Sequence, residues 1–356
     1  MNDQAAGQNP TGGHDIIVIG ASSGGLDALR VLLQGLPIDL PAAVFVVLHV
    51  GARSHLVDIF GNTASLRVVR ATSGAPIEYR TIYIAPPGQH LLLHDAHLLL
   101  RRGPKENMAR PAIDPLFRSA AATFGGRVIG VVLSGALSDG TAGLRAVKRC
   151  GGLTVVQDPS DADFPEMPES ALRHVEVDHV SDIVEMAGLL GRLTHRLAGP
   201  ATEIPIEIRV EAAIAAQELT DMEIEEDLGT LSPFTCPECH GALWQIPDGG
   251  MLRYRCHVGH AFTAETVLSA LDGEVDNMLE RLLRSHQQRA ALAHRMAEQE
   301  RGRNRENLAG QLEGRAREYE EDAEVIRRMV QRHGDPSEAT ALASEGSALT
   351  NDGDKA

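Results

Sequence analysis

The sequence predicts an α/β fold, a doubly wound, mostly parallel sheet with flanking helices, followed by a small cysteine-bearing unit and a C-terminal α-helical region. Three observations predict it. Short uninterrupted apolar runs alternate with amphipathic stretches from Asp15 to Val156. Three cysteines then cluster between Cys236 and Cys256. After them comes a region rich in Leu, Ala, Arg and Glu.

Asp15 to Gly20 is a buried-strand run ending at glycine, and Leu26 to Leu36 has helical periodicity. Ala43 to Leu48 reads as the second strand and Thr81 to Ala85 as the third. His90 to Leu100 reads as a hairpin, because leucines flank the turn-like His94-Asp95-Ala96. Asp114 to Phe124 is helical, Val128 to Leu133 a strand, Gly140 to Arg149 a helix and Leu153 to Val156 a strand. Strand–helix alternation of this kind favours parallel pairing with helices on both faces. The resulting organisation is a disordered start over 1–13, an α/β domain over 14–195 and an acidic linker over 196–232. The cysteine unit occupies 233–262, a helical hairpin or coiled coil 263–335, and a disordered tail 336–356. The linker, strongly acidic from Glu203 to Asp227, is expected to be solvated with one short helix. Leu308, Leu312, Tyr319, Ala323, Ile326 and Val330 are expected to share one face, and Gly302 to break the helix in two.

Composition excludes several function classes. A net charge of −16 argues against nucleic acid, since phosphate contacts need a basic surface. Aromatics at 3% leave little for base stacking. No segment approaches the roughly 20 apolar residues of a membrane helix, so no membrane insertion is expected. Residues 1–13 have neither a basic nor an apolar leader region. Four cysteines in 356 residues do not make a disulfide framework, and the protein reads as cytoplasmic. Cys150 reads as a small buried residue.

Gly20-Ala21-Ser22-Ser23-Gly24-Gly25 joins the first strand to the first helix. Gly20, Ser22 and Gly24 fit the G-x-S-x-G spacing of a nucleophile elbow, where small neighbours let a serine hydroxyl stand clear. The same turn resembles a dinucleotide-binding loop, and by itself the motif does not choose between them. Leu26 in place of the last glycine and the lack of a Tyr-x-x-x-Lys pair disfavour a short-chain dehydrogenase. His49 ends the second strand and could deprotonate Ser22. Asp139 sits in the small-residue loop after the Val128 strand; alone it reads as a helix N-cap, but with the other two it supplies an orienting acid.

Cys236-Pro-Glu-Cys239 and Cys256-His-Val-Gly-His260 are two close pairs joined by a turn-rich stretch, the spacing of a zinc ribbon. Cys236, Cys239, Cys256 and His260 are the expected ligands of a structural zinc, His260 being preferred over His257 because adjacent ligands cannot easily face one ion.

Taken together, Ile19 to Gly25, His49, Tyr83 to His90, Ile113 to Ala120, Leu133 to Gly140, Gln157-Asp158-Pro159 and Phe164 to Pro168 resemble the catalytic domain of the CheB family of protein-glutamate methylesterases. The resemblance covers about Asp15 to Leu193. It implies Ser22 as nucleophile, His49 as general base then acid, and Asp139 as orienting carboxylate, with no catalytic cofactor. It also implies methylated receptor glutamates as substrate and, in some members, glutamine deamidation. Ser23 and the Gly135–Ala136 turn are candidates for the oxyanion hole, while His90 and Arg118 are candidates to line the cleft. Ala136 stands where the family usually has methionine. With only fourteen residues before the first strand, the receiver domain of typical members is not expected in this chain. The C-terminal helices are expected to dock a helical partner or self-associate. A catalytically weak signalling adaptor of the same fold is the alternative.

Overall fold

The computed structural model of the protein describes residues 12–49, 55–199, 202–218 and 229–333. The chain forms two compact units, Met1–Val267 and Leu268–Ala356. The first begins with β1 (Ile16–Ala21), α1 (Gly25–Gly35), β2 (Ala43–Leu48), α2 (Leu56–Gly61), β3 (Arg67–Arg70) and β4 (Thr81–Ile84). A hairpin of β5 (His90–His94) and β6 (His97–Arg101) turns through Asp95 in the left-handed region, φ 50°. Then follow α3 (Ile113–Phe124), β7 (Val128–Val132), α4 (Thr141–Arg149), β8 (Leu153–Gln157), α5 (Glu166–His174), β9 (His179–Ser181) and α6 (Ile183–Leu193).

Seven strands form one sheet in the order β3-β4-β2-β1-β7-β8-β9, every neighbour parallel. β1 and β2 are buried along their whole length, which is why they read as unbroken apolar runs. Alternate residues serve two cores. Ile16, Val18, Phe45 and Val47 pack with residues of α3 and α4, whereas Ile17, Ile19, Val44 and Val46 pack with residues of α1 and α6. The chain leaves β1 toward β2 on one side and returns as β7 on the other. That reversal opens a crevice at the carboxyl ends of these three strands, where open α/β sheets bind ligands.

β3 and α2 were not expected. β3 lies at the sheet edge with an exposed or half-buried Arg-Val-Val-Arg sequence, too short and too polar to signal a strand.

The stretch expected to be a solvated linker is corrected in part. α7 (Ile206–Ala216) buries Ile208, Ile214, Ala215 and Ala216, and its Glu211 joins a buried ionic cluster. Residues 219–228 of that stretch lie outside the described residues. Of the expected disordered start, residues 1–11 are likewise outside, whereas Gly13 bridges Leu197. Next comes a four-stranded antiparallel sheet, β10 (Thr230–Thr235), β11 (Ala242–Ile246), β12 (Arg253–Cys256) and β13 (Ala261–Thr263). It belongs to the same compact unit as the parallel sheet.

α8 (Ala264–Arg301) runs from the end of the first unit into the second, and α9 (Glu306–His333) follows a turn with Asn304 at φ 59°. The break falls at Gly302, as expected from the sequence. Within the second unit Ala290, Ala293 and Ala297 of α8 and Ala309, Ala316, Ala323 and Ile326 of α9 are buried. Ion pairs link His294 to Glu320 at 3.0 Å and Arg301 to Glu313. The expected face needs one correction: Leu308 is 42% exposed, and Ala309 takes the buried position in the three-four rhythm. The tail over 336–356 lies outside the described residues, and among those described no helix is long and apolar enough to cross a membrane.

Candidate active site

Parallel register places Ser22 and His49 side by side. Ala21 pairs with Leu48 as the last rung of β1 and β2, so the next residue on each strand is Ser22 and His49. Both are tied by their backbones as well, Ser22 N–H donating to the Ser134 carbonyl at 3.0 Å and His49 N–H to the Ala21 carbonyl at 3.1 Å. Beyond Ser22 the chain turns through Gly24 at φ 70°, a left-handed conformation that a side chain disfavours. Asp139 reaches the same edge from the loop after β7.

Ser22 Oγ lies 3.2 Å from His49 Nδ1, and His49 Nε2 lies 2.9 Å from Asp139 Oδ2. The second contact has ion-pair distance, but the N–H direction departs from a good hydrogen bond. Catalytic contacts of a free enzyme are often this loose. A proton on Nε2, facing the carboxylate, leaves Nδ1 as acceptor for the serine hydroxyl.

Asp139 is 3% exposed and does not cap α4, which starts after Gly140. Instead it faces the N-terminus of α3, accepting from Ile113 N–H at 2.7 Å and Asp114 N–H at 3.3 Å. Asn107 Nδ2 donates to it at 3.0 Å. Burial alone would raise its carboxyl; the His49 ring and the Ile113 and Asn107 donors outweigh that and hold it below the usual range. Burial and the adjacent Asp139 charge push the Asp114 carboxyl up to about 8. Asn107 carries no signal in the sequence, and Ile113 enters there only as the first residue of the Ile113–Ala120 stretch. Both act across long chain separations, and only the helix start after Pro111 offered a local signal.

Other expected site residues fare differently. Ser23 is exposed at the start of α1, and among the described residues its N–H has no hydrogen-bond partner. Gly135 cannot donate to an oxyanion in this conformation, because its N–H donates to the Phe164 carbonyl at 2.9 Å. What Gly135 supplies is space, since a Cβ there would lie 2.8 Å from Ser22 Cβ and 2.1 Å from Met167 Sδ. Ala136 follows it on the loop, and its N–H has no partner among the described residues. His90 and Arg118 do not line the cleft. His90 is fully buried, with Nε2 2.8 Å from the Pro104 carbonyl and Nδ1 accepting from Ala112 N–H at 3.2 Å. Arg118 is 1% exposed and pairs with Glu106 at 2.5 Å and Glu211 at 3.4 Å. Cys150 is buried, and burial pushes its thiol up to about 11, so it is no nucleophile.

The ligand atoms of Cys236, Cys239, Cys256 and His260 all lie within 4.8 Å of one another. Cys239 and Cys256 sulfurs are 3.7 Å apart, and His260 Nδ1 is 3.7 Å from Cys236 Sγ and 3.5 Å from Cys256 Sγ. A tetrahedral zinc bonded at about 2.3 Å to sulfur and about 2.0 Å to nitrogen sets its ligands roughly 3.5–3.8 Å apart, so the donor set fits that ion. His257 is not in the group; its ring lies against Gly241.

Residues 17–190 match the CheB methylesterase family model. A Leptospira interrogans protein, provisionally named a protein-glutamate methylesterase/protein-glutamine glutaminase, is 38% identical over 183 residues, covering 51% of this chain and 95% of that protein. The chain belongs to the CheB methylesterase family. It is accordingly a carboxylic-ester hydrolase by class. An Anaeromyxobacter dehalogenans protein-glutamate methylesterase/protein-glutamine glutaminase is also 38% identical, over 51% of this chain but 53% of its own length. This CheB-family chain thus spans about half the length of that relative. The crystal structure of the Thermotoga maritima CheB methylesterase catalytic domain is 31% identical, covers 50% of this chain and 98% of that one, and has a TM-score of 0.48.

Proposed function

We propose that this CheB-family chain hydrolyses γ-glutamyl methyl esters on chemoreceptor-like proteins to glutamate and methanol, and deamidates glutamine through the same acyl intermediate. The observation that carries the reading is the continuous contact from Ser22 Oγ to His49 Nδ1 at 3.2 Å and from His49 Nε2 to Asp139 Oδ2 at 2.9 Å. Ser22 Oγ attacks the ester carbonyl as its proton passes to His49 Nδ1, and Asp139 stabilises the imidazolium. The tetrahedral oxyanion is met by the Ser23 and Ala136 N–H groups. His49 then protonates the departing methoxide, methanol leaves, and a water activated by the same ring hydrolyses the acyl-enzyme. Relatives named as methylesterases support this reading over a weak adaptor.

The test is release of labelled methanol from membranes carrying methylated chemoreceptors. His49→Ala is expected to lower the rate by about 10³-fold or more, because alkoxide formation then lacks its base. Release by His49→Ala at the wild-type rate would overturn the assignment.

The four-ligand cluster is read as a structural zinc site, closed to substrate because every position is taken by protein. Its thiolates suit a reducing, cytoplasmic setting. Elemental analysis of the purified chain should find one zinc per molecule, lost in Cys256→Ser. A metal-free, fully folded wild type would contradict it.

A further inference from the structure

We propose that Asn107 is a positioning residue for the Asp139 carboxylate, and that β13 of the cysteine-bearing sheet holds it in that role. The inference rests on the esterase reading of Ser22, His49 and Asp139.

The Asn107 amide is used at every atom. Its Nδ2 donates to Asp139 Oδ1 and to Asp114 Oδ2, each at 3.0 Å. Its Oδ1 accepts from the Thr263 backbone N–H at 3.1 Å. A backbone N–H can only donate, so Thr263 fixes which end of the amide faces the two carboxyl groups. A flipped amide would set a third oxygen against them and leave the Thr263 N–H without its acceptor. Asn107 is the side-chain donor to Asp139 Oδ1, beside the Gly140 N–H at 3.0 Å and the Asp114 N–H at 3.3 Å, while Oδ2 accepts from Ile113 N–H and faces the His49 ring.

Asn107 does not hold this position unaided. It and Met108 have left-handed backbones, φ 48° and 63°, which residues other than glycine adopt at a cost and keep only when neighbours enforce them. The enforcing neighbour is β13: Asn107 N–H donates to the Ala261 carbonyl at 2.8 Å, and Glu106 pairs with Ala261 in a parallel bridge. The same strand reaches the loop of Asp139 directly, where Ser138 Oγ and Thr263 Oγ1 are 2.6 Å apart. Below it, Arg253 and Arg255 of β12 bond Glu211 of α7, which also faces Arg118 of α3. The antiparallel sheet is thereby clamped to the parallel one beside the residue that orients His49. An appended unit whose only task lay elsewhere would have no need of these contacts.

A fluorophosphonate probe, which reacts with activated serines, tests this on the full chain, with thermal melting of each variant as a folding control. Wild type is expected to label at Ser22. Asn107→Ala should slow labelling about 10–100-fold, as loss of an outer partner of a functional ligand commonly does. Asn107→Asp, which replaces the donating amide with a further carboxyl group beside Asp139, should slow it further. Thr263→Pro removes the N–H that orients the amide, together with the hydroxyl that meets Ser138, and should approach the Asn107→Ala rate, whereas Thr263→Val, which removes the hydroxyl and keeps the N–H, should label faster than Thr263→Pro. In an Asp139→Asn background the Asn107→Ala change should cost less than about 3-fold, since residues acting through one another are not additive. A folded Asn107→Ala or Thr263→Pro labelling within about 2-fold of wild type overturns the inference, as does full additivity with Asp139→Asn. A wild type that does not label overturns the esterase reading, and this inference with it.

Discussion

Replacing Ser22 with alanine is expected to lower kcat for methyl-ester hydrolysis by about 10⁴–10⁶-fold, with KM nearly unchanged. In the proposed reaction, alanine removes the one atom that bonds the substrate carbonyl while leaving the turn intact. Ser22 holds its place through its backbone N–H to Ser134, and Gly25 N–H bonds the Ser22 carbonyl at 2.9 Å, contacts that do not involve the hydroxyl. Substrate docking should therefore survive. Pre-steady-state methanol release should show a burst in wild type if deacylation is slow, and none in the variant. The residual rate reports the donors around the cleft, because triad members act as a unit and the oxyanion site persists without them. A Ser22→Ala protein that keeps a tenth of its activity would mean that another group attacks the ester.

Glu211→Ala is expected to destabilise the first compact unit by about 3 kcal/mol, because removing one partner of a buried cluster leaves Arg255 without its carboxylate and Arg118 and Arg253 with only Glu106 and Asp248. Glu211 Oε2 lies 2.6 Å from Arg253, 2.6 Å from Arg255 and 3.4 Å from Arg118, and these three side chains are at most 5% exposed. Burial works against its ionisation, but Arg253, Arg118 and Arg255 outweigh that and hold the carboxyl well below its ordinary range. Its stabilising contribution is thus complete above the unfolded-state carboxylate value and is lost only as the pH falls through the lowered folded value. Chemical denaturation at neutral pH, compared between wild type and variant, measures the loss. A midpoint unchanged within error would show that the cluster contributes nothing net, as some buried ionic groups do.

The parts legible in the sequence were those whose neighbours are near in the chain or whose burial is complete. β1 and β2 announced themselves because both faces are covered, leaving no polar position to blur the run. Ser22 and His49 could be placed together because each directly follows such a strand, and adjacent parallel strands end at one edge. The acidic stretch does contain the expected short helix, α7, but its burial is not legible, because acidity on a helix looks solvated until its cations are known. The partners of Glu211 are Arg253 and Arg255, some forty residues further on and within a different sheet. The chemistry of Arg118 and His90 makes them cleft candidates, whereas their surroundings are buried partners supplied by Glu106, Glu211 and Pro104. In α9 the buried position falls to Ala309 rather than to the larger Leu308, because a helical pair that meets on alanines buries the small residue.

The serine and the histidine stand one residue beyond the final rung of a parallel ladder and are themselves bonded to it. Under the proposed reaction, a nucleophile mounted in this way has no hinge. Its approach trajectory would be set when the domain folds, so adaptation would fall to the incoming chain, and the proposed substrate, a long, freely rotating glutamyl arm projecting from its host, suits that task.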